Sequence, residues 1–268
     1  MSIVALETVT RPRERTTTFP PIPLSRIVAV ELRKSFDTRT GFWLVAGIGI
    51  ASVLATVGVV LFAAPAQMTY STFTLAIGFP LAVILPMIAI LSVTGEWSQR
   101  TGLTTFTLVP HRGRVALAKA LVAVSVAVAS MLGAFVVGAI GNLVGARVAG
   151  VAAVWNLDAI TLLDIVLANI LVVLFGFMLG VLVRSSAGAI VAYFVYAFLM
   201  PTVTDLLAAN QQWFHDLQPW VDPAIAQHEL FHGALTVEQW SQLGLTSLIW
   251  LVVPLLVGLR VLLRSEVK

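Results

Sequence analysis

Ionised side chains are missing from five long stretches of this chain: Thr40 to Gly95, Ala120 to Ala146, Ile165 to Val183, Ser185 to Thr204 and Gln239 to Leu259. A charge in hydrocarbon costs at least about 2–3 kcal/mol, so an apolar, charge-free run of about 20 residues reads as a membrane crossing. The first stretch is 56 residues long, too long for one crossing, and Pro65-Ala-Gln-Met-Thr-Tyr-Ser in its middle reads as a polar turn. The pattern therefore predicts six helices, near 41–63, 72–93, 120–146, 162–183, 186–206 and 242–262. The fold class is an all-α integral membrane protein, with a six-helix domain over 40–263.

An even number of crossings sorts the polar segments into two sets. The amino terminus, 94–119, 184–186 and the carboxy terminus hold fifteen of the sixteen Lys and Arg, and only Arg147 falls in the other set. Positive residues stay on the cytoplasmic side, which predicts a multi-pass protein of the cell membrane with both termini cytoplasmic. Seven acids (Asp158, Asp164, Asp205, Asp216, Asp222, Glu229, Glu238) accompany Arg147, so the two sides carry +9 and −6, together the +3 of the chain. One helix more or fewer would scatter the arginines over both sides.

Residues 1–23 carry Arg11, Arg13, Arg15 and four prolines without an apolar core, so they read as a flexible cytoplasmic lead rather than a cleavable signal. From Ser25, a candidate N-cap, Leu24, Ile27, Val28, Leu32 and Phe36 recur at spacings of mostly three and four. Arg26, Glu31, Arg33, Lys34 and Asp37 take the other positions. That alternation predicts an amphipathic interfacial helix over 24–39, whose Arg26, Arg33 and Lys34 meet anionic headgroups. The competing reading is an extension of the first crossing. Residues 264–268 form a short cytoplasmic tail.

Composition agrees: 59% of residues are apolar and 11% charged, where soluble domains have about 45–50% and about 25%. Cysteine is absent, which excludes disulfides and thiolate metal sites. The sequence pI near 9.7 reflects topology rather than nucleic acid, because the bases are spread over four segments without an aromatic-basic platform. A channel would need a ring of pore charges or a carbonyl filter, and neither is visible. Thirteen Arg against three Lys, with abundant Ala, Val and Gly, fits a GC-rich bacterial genome.

Within the crossings, Gly141-x-x-x-Gly145 and Gly176-x-x-x-Gly180 let helix backbones approach, either inside one chain or between subunits. Pro80 and Pro86 should bend the second helix. Asp164 and Asn169 are candidates for lining a polar pathway, since lipid exposure would be costly; Asp164 could instead reach the headgroups.

The connection after the second helix is the most informative segment. It runs Gly95-Glu96-Trp97-Ser98-Gln99-Arg100-Thr101-Gly102, through Phe106 and Leu108-Val109-Pro110-His111-Arg112-Gly113-Arg114, to Lys119. Helix-to-helix connections commonly take about 2–8 residues, and this one mixes an acid, bases and aromatic rings before stopping at proline. It reads as a short helix offered to another protein, or else as a re-entry loop whose bases enforce topology.

In these residues the chain resembles the membrane (permease) subunits of type-2 ATP-binding-cassette exporters. Glu96, Arg100-Thr101-Gly102, Leu108-x-Pro110, Arg112 or Arg114, and Lys119 follow that family's order and spacing, and the six-helix topology covers nearly the whole chain. The resemblance implies an elbow helix before the first crossing and a cytoplasmic coupling helix between the second and third. It implies short half-inserted outer helices over 205–243, where Trp213, Trp220 and Trp240 serve as interface anchors. Glu96, Trp97, Arg100, Thr101, Phe106 and Arg112 would then contact a separate ATPase subunit. That partner would bind ATP and Mg²⁺, and a second permease, identical or related, would complete the pathway as a dimer. The chain itself would be a transport subunit rather than an enzyme, without a cofactor of its own. Its three lysines, none of which follows a glycine, build no phosphate loop.

One motif competes. His228-Glu229-Leu230-Phe231-His232 satisfies H-E-x-x-H, which on a helix would place two imidazoles on one face for Zn²⁺ with Glu229 as general base. A membrane-embedded zinc metalloprotease would follow. Against it, Gly233 reads as a helix end, and no spacing selects a third ligand among His215, Asp222 and Glu238.

Overall fold

The computed structural model describes residues 22–98 and 112–264. Among these, nearly all are helical, and six helices are long and apolar enough to cross a membrane. The elements are α1 (Leu24–Asp37), α2 (Arg39–Phe62), α3 (Tyr70–Ser98), α4 (Arg112–Ala149) and α5 (Ala159–Val183). They continue with α6 (Ser186–Asn210), the short α7 (Gln212–Val221) and α8 (Pro223–His228), and α9 (Val237–Arg264). The only strand-like pairing among the described residues is an isolated bridge between Thr69 and Val154.

Several helices run past the charge-free windows, and at α5 and α9 a cap rather than hydropathy sets the start. Asp158 accepts from the Thr161 amide at 2.9 Å and opens α5 three residues before the first predicted position. Thr236 and Gln239 form a reciprocal capping box that starts α9 at Val237, not near 242. α4 likewise begins at Arg112, so Lys119 lies two turns inside a helix rather than at its mouth. Arg184 adopts a left-handed conformation (φ 57°) that closes α5, and Ser185 caps α6 immediately afterwards. α6 and α9 each contain one π-helical turn, Val195–Leu199 and Leu248–Val252. A proline ring clashes with the carbonyl four residues earlier, and Pro201 and Pro254 place that clash at Ala197 and Trp250, inside the two wide turns.

α3 and α5 form the central seam, with α4 against both, α2 and α1 on the α4 side, and α6 and α9 on the other. Small residues allow it. A Cβ on Gly176 would lie 2.8 Å from the Pro86 carbonyl oxygen and 2.9 Å from Pro86 Cα, so α5 meets the α3 backbone directly. Gly141 and Gly145 on α4 form the bed for the fully buried Phe73 of α3. Both glycine pairs thus serve packing within the chain.

The polar segments gather at two ends. At one, Gly113 on α4 lies against Leu263 on α9, and Thr94 on α3, whose hydroxyl donates to the Ile90 carbonyl, is bonded to Ser186 on α6 at 2.7 Å. At the other, the Tyr70 amide and the Asn142 side chain both donate to the Val154 carbonyl at 3.0 Å, and Ser71 and Asn156 exchange two hydrogen bonds. This division reproduces the two sets of polar segments sorted by charge.

Candidate functional site at the charged end

α1 is a separate helix, not the start of the first crossing: Thr38 (ψ 140°) breaks the chain, and its hydroxyl caps α2 through the Gly41 amide at 3.1 Å. It begins one residue before the predicted cap, after Pro23 and without a side-chain cap, and it ends at Asp37, so Arg39 belongs to α2. Arg26, Arg33 and Lys34 are exposed, as an interfacial helix requires.

One position of the polar set is buried. Ile27 is buried as expected, but so is Glu31, assigned above to the solvated side, while Leu32 and Phe36 are exposed. Glu31 turns inward because α4 carries its counter-ion. Lys119 Nζ donates to Glu31 Oε2 at 2.6 Å and to the Ser92 carbonyl of α3 at 2.9 Å, and Lys34 donates to Oε1 at 2.6 Å. The side chains of Lys119 and Glu31 are each only 7% exposed. Burial pushes the Glu31 carboxyl up, and the charges and hydrogen bonds of Lys119 and Lys34 pull it down by more, leaving it below the usual carboxylate range.

Lys119 thus ties α1, α3 and α4 together beside the long connection. Glu96 and Trp97 belong to the last turns of α3, and Arg112 opens α4. Arg100, Thr101 and Phe106, with the rest of the expected coupling helix, lie outside the described residues. Periodicity hid the Glu31–Lys119 pair, since it joins positions 88 apart in sequence. A signal was present: Lys119 sits in an otherwise apolar helical run, where a cation needs a partner.

At the opposite end, Asp164 and Asn169 are buried on α5. Asn169 donates to the Ile165 carbonyl at 2.9 Å, whereas Asp164 Oδ2 has no hydrogen-bond partner among the described residues. Both side chains pack against the protein. The buried Asn142, which no motif marks in the sequence, also has an Oδ1 without a partner among the described residues.

α7 and α8 occupy the segment expected to hold short helices. Thr204 donates to the buried Asp222, whose other oxygen caps α8, Gln218 donates to Asp205 at 2.8 Å, and Trp250 donates to the Val221 carbonyl at 2.8 Å. Trp213 and Trp240 are exposed. His228 is the last residue of α8, a 3-10 turn follows over Glu229–Phe231, and Gly233 (φ 113°) turns the chain away. The Glu229 carboxylate accepts from Gln239 at 2.8 Å. No group of three His, Asp or Glu among the described residues is placed to hold a metal ion.

No protein-family model matches this chain, and no curated protein matches it.

Proposed function

We propose that this chain is the permease subunit of an ATP-driven type-2 ABC exporter, paired with a second permease and with a separate ATPase subunit that binds ATP and Mg²⁺. The observation that carries this reading is the Glu31–Lys119–Ser92 junction. It fixes an interfacial helix to the two crossings that flank a long, charged, aromatic-bearing connection. A push on that connection would reach α1, α3 and α4 as one unit, the geometry that rigid-body gating needs. Six crossings make half of a pathway in such exporters, which a second permease would complete.

The test is purification from the native membrane in mild detergent. The expected result is a phosphate-loop ATPase retained in stoichiometric amount, lost in Phe106→Asp and weakened in Glu96→Ala while membrane insertion is unchanged. Recovery of a fully active chain without a nucleotide-binding companion would overturn the proposal. So would labelling of a cysteine placed at position 100 from outside intact cells.

A further inference from the structure

His228 and His232 end a motif for which the permease reading has no use. Their backbone is firmly held. Leu230 between them is fully buried against Ala168, Ala226 and Leu243, Glu229 is tied to Gln239 of the α9 capping box, and Asp222 caps α8 at its start. Both imidazoles nonetheless project to solvent. His228 Nδ1 and His232 Nε2 face each other at 3.1 Å, with ring centroids 4.5 Å apart and planes tilted by 56°.

That separation has chemical meaning. Zinc–imidazole bonds are about 2.0–2.1 Å long, so two nitrogens on one ion at near-tetrahedral angles lie roughly 3.1–3.4 Å apart. The pair is therefore spaced for chelation without backbone movement. Imidazole also suits Zn²⁺, Cu²⁺ and Ni²⁺, while Mg²⁺ and Ca²⁺ prefer oxygen.

We propose that His228 and His232 form a bidentate surface site for a divalent transition-metal ion, with water completing the coordination. The ion clamps the end of α8 to the turn that leads into α9. The site is structural rather than peptidolytic, because the Glu229 carboxylate is engaged by Gln239. It does not depend on the exporter reading and stands or falls separately.

The experiment uses the full chain in detergent, purified through a histidine-free affinity tag, stripped with chelator and titrated with ZnCl₂ against a chromogenic zinc chelator. One Zn²⁺ per chain is expected, with His228→Ala and His232→Ala each weakening binding about tenfold or more. The double variant is expected to lose the ion and His215→Ala to keep it. Zn²⁺ should raise the melting temperature of the native chain but not of the double variant. Because both rings are exposed, the variants should fold, which their metal-free melting curves check. Failure of the native chain to take up stoichiometric Zn²⁺, or its persistence in the double variant, overturns the proposal.

Discussion

α5 and α6 are each 25 residues long and adjacent in sequence, yet 61% of the most apolar window of α5 is buried in the bundle against 11% for α6. α5 is lined with Gly176 and Gly180 and meets α3, α4, α6 and α9. α6 presents Val191, Phe194, Phe198, Leu199, Val203 and Leu206 outward. Lipid tails are as apolar as leucine, so apolarity alone does not draw a helix inward. Close backbone approach decides which helix becomes the interior.

The strongest test of that contrast is the charge held inside the bundle. Lys119→Met removes one of the two cations on the buried Glu31; breaking a buried pair costs about 3–5 kcal/mol, part of which Lys34, still bonded to Oε1, offsets. Thermal unfolding in detergent should show a large drop in melting temperature and earlier proteolysis within α1. Gly176→Val comes next, because the new side chain meets the Pro86 backbone, which cannot rotate away. Overpacking of this kind costs about 1–3 kcal/mol, occasionally more, and should appear as a lower melting temperature and a broadened size-exclusion peak.

Acid probes the same junction more gently. The folded pKa of Glu31 lies below its unfolded value, so its contribution is complete above the unfolded value and is lost as pH falls through the folded one. The native melting temperature should therefore fall more steeply on acidification below about pH 4.5 than that of Glu31→Gln. The smallest effect is expected on the perimeter. Val203→Ala on the outward face of α6 should stay within about 0.5 kcal/mol of native, and a larger loss would mean that a protein surface covers this face in the purified particle.

Some features were readable from single positions and others were not. The number of crossings, the break before α2 and the end at Gly233 of the 3-10 turn that follows α8 follow from local chemistry: charge exclusion, a capping threonine, a glycine with positive φ. The starts of α5 and α9 are set by Asp158 and by Thr236-x-x-Gln239, local signals to which a charge-free window is blind. The assignment of Glu31 to a solvated face failed because periodicity describes one helix and cannot know that a neighbour supplies Lys119. The unpartnered oxygens of Asp164 and Asn142 were equally out of reach, since only packing decides what lies opposite a polar side chain.

Residue identities alone establish six apolar helices and which polar segments share an end, because exclusion of charge from hydrocarbon acts on each residue independently. Tertiary structure alone decided that α3 and α5 are the centre, that Gly141, Gly145, Gly176 and Gly180 serve contacts within the chain, and that Glu31, Lys119 and Ser92 meet. Those outcomes depend on pairs of residues far apart in sequence, whose energies exist only once the helices have packed.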